Sequence, residues 1–300
     1  MTRRFTLALP DGYRLHDIIA FHSRDAESVA EQVSAERLRK GMLLAGVPVV
    51  LDIALGAATA GCTVHADMPD GADDAAVVAL AHAAAINMLG LRIDPQAFTD
   101  FVAGDALLGE LTRNQPGLRI VQSGTVFEAL TWAVIGQQIN LPFAIALRRT
   151  FIQQAGRRHS SGLWCYPEAA DVARLQADEL TARKFSRAKA ETLLRLARLV
   201  DDEELNLVPG EGNGIDDIAK ALLAIKGIGP WTVNYGLLRG YGYADCSLHG
   251  DVAVRAALQR LLGEDSKPDI ARTEQILKRY APHRTMAAAH LWASLHPRDA

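Results

Sequence analysis

The chain has 300 residues, 49% of them hydrophobic and 22% charged. These are the proportions of a soluble globular protein long enough to bury a core without disulfide or metal staples. Cys62, Cys165 and Cys246 lie far apart, with no CxxC pair and no His-rich neighbourhood, which excludes a zinc knuckle and an iron–sulfur cluster and points to a reducing, cytoplasmic setting. The net charge of −3 argues against a uniformly basic nucleic-acid binder, but the charge is unevenly spread. Residues 1–110 hold 8 Lys/Arg and 15 Asp/Glu, whereas residues 111–300 hold 24 and 20, so a polyanion is expected to meet the C-terminal two-thirds.

The N-terminus meets Asp11 before a long apolar stretch can form, and the most hydrophobic run, residues 42–64, is interrupted by Pro48, Asp52 and glycines. Neither a secretory leader nor a membrane span is expected. Phe5 to Leu9 alternates as a strand does. Asp25 to Arg39 reads as a helix, Val47 to Ala54 and Cys62 to Ala66 as strands, and Ala75 to Leu89 as an Ala-rich helix. Residues 1–95 therefore form an α+β module.

From about residue 97 the pattern is helical throughout. Thr125 followed by Glu128 matches a capping box, opening a helix through Trp132 to about Ile135. Further helices are expected over Phe143–Gln154, Glu168–Ala177 and Phe185–Val200.

The informative stretch begins at Asp216, which can cap a helix running to about Ile225. Lys226-Gly227-Ile228-Gly229 is a tight turn, and Pro230 follows where proline suits the first turn of a helix. That helix continues through Trp231, Thr232 and Tyr235 to Arg239, with Gly240 ending it. Two helices joined by Gly-x-Gly make a helix–hairpin–helix. The glycines reach unusual backbone angles and let another backbone approach. The freed amides of Gly227 and Gly229, Thr232, and the positive end of the second helix can then hold a phosphate without reading sequence. A lone Gly-x-Gly would signify only a turn; the full string Leu-x-x-Ile-Lys-Gly-Ile-Gly-Pro-Trp-Thr is far more specific. After a loop, Asp251 stands at the start of another helix. It is an N-cap by type, and the helix dipole favours its charged form, the form needed to offset positive charge on a sugar losing its base.

On these residues, 221–262, the chain resembles the helix–hairpin–helix DNA glycosylase superfamily and, within it, the alkylpurine branch, 3-methyladenine DNA glycosylase II. Gly117-Leu118-Arg119, the Phe127–Gln138 segment with Ile135-Gly136-Gln137, and Arg279 to Trp292 extend the similarity over nearly the whole chain. The resemblance implies a fold of two parts: an α+β N-terminal domain, half-TATA-binding-protein-like with an antiparallel sheet and helices (1–95), then a mainly α helix–hairpin–helix glycosylase region (96–300). The latter divides into 117–245, holding the hairpin at 216–240, and 96–116 with 246–300, with the active site between them.

It further implies that Asp251 is the catalytic aspartate and that Trp231, Tyr235, Trp292 and Phe21 line a base pocket. Gln138 would be the wedge that fills the gap left by an everted nucleotide. The carbonyls of Leu223, Ile225 and Ile228 are candidates for a structural monovalent or divalent cation, with no cofactor in the chemistry. Lyase-type relatives carry a lysine where this chain has Trp231, so a monofunctional, monomeric enzyme acting on damaged bases in double-stranded DNA is expected. In a bacterium it would work at the nucleoid. Val252, after the aspartate, stands where some relatives have an aromatic, and His249 is a weaker candidate base. Two rivals remain open: a glycosylase for oxidised or deaminated bases, and a helix–hairpin–helix DNA-binding protein without catalysis.

Overall fold

The structure is a computed structural model that describes residues 1–68 and 74–295. Five strands, β1 (Thr2–Ala8), β2 (Glu31–Ser34), β3 (Arg37–Leu44), β4 (Val47–Leu55) and β5 (Thr59–Ala66), form one antiparallel sheet in the order β1-β5-β4-β3-β2. Helix α1 (Leu15–His22) lies between β1 and β2 in sequence, and α2 (Asp74–Met88) covers one face of the sheet. Val49, Leu51, Ile53, Val64, Ala81 and Met88 are all buried in this core.

The helix expected over Asp25–Arg39 is not formed. Asp25 instead accepts bonds from the Glu27 and Val29 amides, and Ser28 takes a left-handed φ of +52°, local bonding that competes with a helix. The chain then pairs β2 with β3 across a two-residue turn, Ser34 opposite Arg37 and Glu31 opposite Lys40.

The remainder is helical: α3 (Pro95–Phe101), α4 (Gly109–Arg113), α5 (Val126–Gly136), α6 (Leu141–Ala155), α7 (Ala169–Ala173), α8 (Ala177–Thr181), α9 (Arg187–Asp201), α10 (Ile215–Leu223), α11 (Pro230–Gly236), α12 (Val252–Leu262), α13 (Ile270–Lys278) and α14 (Arg284–Ser294), with a small β6–β7 hairpin (Arg157–Arg158, Trp164–Cys165) after α6. Helices α3 and α4, which come early in the chain, pack on α14 near its end. Thr125 caps α5 as expected, accepting from the Glu128 amide, but the Glu128 carboxylate reaches past it to the Gly124 amide. The helix expected over Glu168–Ala177 breaks into α7 and α8, because Glu168 and Gln176 each open a capping box of their own.

A buried ionic cluster joins the sheet to the helical region, and nothing in the sequence pattern announced it. Lys40 Nζ lies 2.7 Å from both Glu31 and Glu128, Arg148 bonds Glu128 at 2.7 Å and approaches Glu31 at 3.3 Å, and His22 Nδ1 meets Glu31 at 3.0 Å. Burial alone would raise both carboxyl groups; Lys40 and Arg148 reverse this and hold Glu31 well below, and Glu128 below, the ordinary glutamate value.

Candidate active site

Helix α10 is capped by Gly214, whose amide is bonded by Asp217, rather than by Asp216, and ends at Leu223, two residues sooner than the sequence suggested. In the turn that follows, Gly227 has a φ of +97°, and a Cβ there would stand 2.1 Å from Thr192 Oγ1. Gly229 differs: its φ is −106° and a Cβ would meet nothing within 4 Å. The first glycine is thus required by the fold, and the second leaves open space in front of the turn. Among the described residues neither glycine amide has a hydrogen-bond partner, so both are free to donate to an anion.

Thr232 faces inward. It is buried, and its hydroxyl accepts from Gln137 Nε2, which also donates to the Gly227 carbonyl. Its side chain is therefore a brace between α5 and the hairpin, and the residue still borders the cleft beside Gly229. Gln138 is exposed at the end of α5 with φ +55°, on the rim of a cleft. The carbonyl of Ile225 accepts from the Ile228 amide, leaving one lone pair on that oxygen.

Pro230 starts α11 as expected. The chain does not stop at Arg239, however; it continues as a π-helical turn, Leu237–Tyr241, and closes at Gly242 with φ +65°. Such wide turns are frequent at functional sites, and this one carries Arg239.

Asp251 caps α12 and is only partly buried. Its Oδ1 accepts from the Ala253 and Val254 amides, both at 2.9 Å, and from Trp292 Nε1 at 3.0 Å; Oδ2 accepts from Trp231 Nε1 at 2.9 Å. One donor comes from the hairpin's second helix, one from the last helix, and two from its own helix terminus. The carboxylate is thereby fixed in direction, and its position beside the hairpin is set by a direct bond. The rings form a continuous wall: Trp231 stacks on Tyr235 with centroids 5.1 Å apart and planes at 29°, Tyr235 lies 6.4 Å from Trp292, and the Tyr235 hydroxyl accepts from Trp132 Nε1. Trp231 and Tyr235 are too close for a base to enter between them, so a base can lie only against this wall.

Asp251, the three rings, both hairpin glycines and Gln138 open onto one cleft of about 1050 Å³, the upper end of the range for small-molecule sites. Phe21 lines a small adjoining pocket that shares Arg24 and Trp132 with the cleft. The Arg24 and Arg239 guanidiniums lie over its ring at 4.2 and 4.8 Å, and those two arginines line the cleft itself. Val252 is exposed at its mouth. His249 is bonded to Ser247. The three cysteines are free and buried, and burial pushes the thiols of Cys62, Cys165 and Cys246 up to about 12, 11 and 12, which leaves them inert as nucleophiles.

Sequence reasoning missed Arg24, Arg239 and Trp132. Arg239 follows Tyr235 by four residues and so shares its helix face, a legible signal. Trp132 and Arg24 reach the site only through packing between distant elements.

A phosphate-ready glycine hairpin beside a cleft with a clamped carboxylate and an aromatic wall defines a helix–hairpin–helix protein built to hold DNA at a reactive pocket. The family model for HhH-GPD superfamily base excision DNA repair proteins matches residues 131–283, and the chain belongs to that family. It is 31% identical over 68% of its length to a DNA-3-methyladenine glycosylase of Bacillus subtilis, covering 68% of that protein. It is 28% identical over 89% of its length to DNA-3-methyladenine glycosylase 2 of Escherichia coli, covering 87% of that protein. The fold is that of the 3-methyladenine DNA-glycosylase from Archaeoglobus fulgidus, with a TM-score of 0.78, 21% identity, and 96% and 97% of the two chains covered. Among the described residues no helix is long and apolar enough to cross a membrane, and no group of three or more His, Cys, Asp or Glu could hold a metal ion.

Proposed function

We propose that this protein is a monofunctional DNA glycosylase of base excision repair, hydrolysing the N-glycosidic bond of alkylated purines of the 3-methyladenine and 7-methylguanine type in duplex DNA. The observation that carries this reading is the clamp of four N–H donors that aims Asp251 into the cleft beside the hairpin. The relatives named DNA-3-methyladenine glycosylase support the same substrate class.

In this reading the Gly227 and Gly229 amides hold a DNA phosphate, and Gln138 occupies the space of the everted nucleotide. The base lies against Trp231, Tyr235 and Trp292. As the bond from C1′ to the base nitrogen breaks, positive charge grows on the sugar, and the preorganised Asp251 carboxylate opposes it at no cost in reorganisation. Water then adds to C1′. Methylation at a ring nitrogen makes the base a good leaving group, so one carboxylate suffices. No amine stands at Trp231 to form a Schiff base, so the product is an abasic site with the strand intact. The two helical parts, 117–245 and 96–116 with 246–300, form the walls, and the protein acts as a monomer in the cytoplasm. The Leu223, Ile225 and Ile228 carbonyls are the hard, neutral donors suited to a structural cation bridging the hairpin to phosphate.

The test is release of bases from methylated duplex DNA, identified by chromatography, for the wild type and Asp251→Asn. The wild type is expected to release methylated purines and the variant to lose that release while still binding DNA. Full activity in the variant would remove Asp251 from the chemistry, and DNA binding without base release by the wild type would leave a binding module.

A further inference from the structure

The link between α5 and α6, residues 137–140, holds its backbone in a shape that its residues do not choose for themselves. Gln138 is exposed on the cleft rim with a φ of +55°. A long side chain rarely enters the left-handed region unless its surroundings impose it. Both flanks of Gln138 are tied. On the far side Asn140 caps α6, its side chain accepting from the Phe143 amide at 3.0 Å. On the near side Gln137 Nε2 donates to the Gly227 carbonyl at 3.0 Å and to the Thr232 hydroxyl at 2.9 Å, which uses both of its hydrogens. Helix α9 supports the same region from behind. Lys189 Nζ donates to the Ile135 carbonyl in the last turn of α5, and Thr192 Oγ1 and Arg195 Nη1 donate to the Lys226 carbonyl at 3.3 and 3.1 Å. The wedge and the glycine turn thus stand on one hydrogen-bonded frame. Gln137 is the direct tie within it, because its backbone adjoins Gln138 and its side chain ends on Gly227.

Resting on the glycosylase reading above, we propose that Gln137 is a positioning residue for nucleotide eversion, locking the wedge at Gln138 in place relative to the phosphate grip of the hairpin. Eversion turns one nucleotide out about its backbone and opens a gap between its neighbours. A wedge fills that gap only if it stands there while the adjoining phosphate is held still. A wedge free to drift from the grip would have to be ordered at each attempt, and that entropy would enter the barrier. The two bonds from Gln137 order it before DNA arrives. When Gln137 is removed the turn keeps its other supports, Thr192 and Arg195 on the Lys226 carbonyl. Loss of Gln137 therefore slows eversion and leaves the grip on DNA intact.

Eversion would be followed by stopped-flow fluorescence of a 2-aminopurine set beside a 7-methylguanine in duplex DNA, with enzyme in saturating excess. Base release and DNA affinity would be measured on the same duplex. The proteins are the wild type, Gln137→Ala, Gln137→Met, Gln138→Ala and the double variant Gln137→Ala with Gln138→Ala. Gln137→Ala should slow the fluorescence change about tenfold, as expected when two neutral hydrogen bonds no longer lower the barrier. Affinity, set by the phosphate grip, should stay within about threefold. Gln137→Met, which keeps the length and loses the donors, should be as slow as Gln137→Ala. With the wedge already removed, loss of Gln137 should cost less than about twofold. An unchanged eversion rate, restoration by Met, an affinity loss as large as the rate loss, or an equal cost in the Gln138→Ala background would each overturn the proposal. In those cases 7-methylguanine release by the wild type leaves the glycosylase reading standing. Eversion by the wild type without base release ends that reading instead, and the rate comparisons still decide the role of Gln137. A wild type that neither everts nor releases the base ends both.

Discussion

Trp292→Phe tests whether the indole N–H groups act through Asp251. The substitution keeps an aromatic ring against Tyr235 and removes only the donor on Oδ1, while the Ala253 and Val254 amides still hold that oxygen. A hydrogen bond to a charged group is worth about 1.5–3 kcal/mol. If its loss lets the carboxylate turn from the line along which the sugar's charge develops, that energy appears in the barrier, an approximately 10- to 150-fold slower release. Base release from 7-methylguanine duplex would be measured under single turnover for wild type, Trp292→Phe, Asp251→Asn and the double variant. A residue that works through the carboxylate has little left to lose once the carboxylate is gone, so the double variant should fall less than twofold below Asp251→Asn alone. If Trp292→Phe costs the same factor in both backgrounds, the indole serves the base and not the aspartate, and the clamp argument fails.

Two stability predictions follow from the same geometry. Gly227→Ala combines a left-handed backbone with an overlap on Thr192 Oγ1, each worth about 1–3 kcal/mol, so urea denaturation should show a loss of about 2–6 kcal/mol. Gly229→Ala, facing open space, should lose under about 1 kcal/mol yet weaken DNA binding; equal losses from the two would refute the division of roles between the glycines. His290 is buried, and burial pushes its pKa down to about 4 from 6.5. It stays neutral in the fold while the unfolded chain takes up a proton, so stability should fall as pH drops from 6.5 toward 4, by about 3 kcal/mol. The wild type minus His290→Leu difference in urea stability across that window isolates the effect, and a difference independent of pH would refute it.

Much of the site was legible in the sequence because it is local. The hairpin string, Pro230 at the first turn of its helix and Asp251 as an N-cap each follow from bonding within a few residues, and the structure places all of them as that chemistry dictates. The α+β then helical order and the strands around Val49 and Val64 followed from periodicity, which reports burial directly. What failed was non-local. Residues 25–39 form a turn at Asp25 and a strand pairing in which Glu31 meets Lys40 and Arg148, the two cations that also hold Glu128, contacts to residues 40, 128 and 148 that no local pattern contains. Likewise only the packed fold braces Thr232 against Gln137, sets Arg24 over the Phe21 ring beside the cleft, and brings the indoles of Trp231 and Trp292 from separate helices onto one carboxylate. Sequence alone determined which chemistry was on offer, since side-chain type and short spacing carry it. Tertiary structure decided which groups meet, because a contact between residues far apart in the chain is fixed by the packing of whole elements and not by the propensity of any one of them.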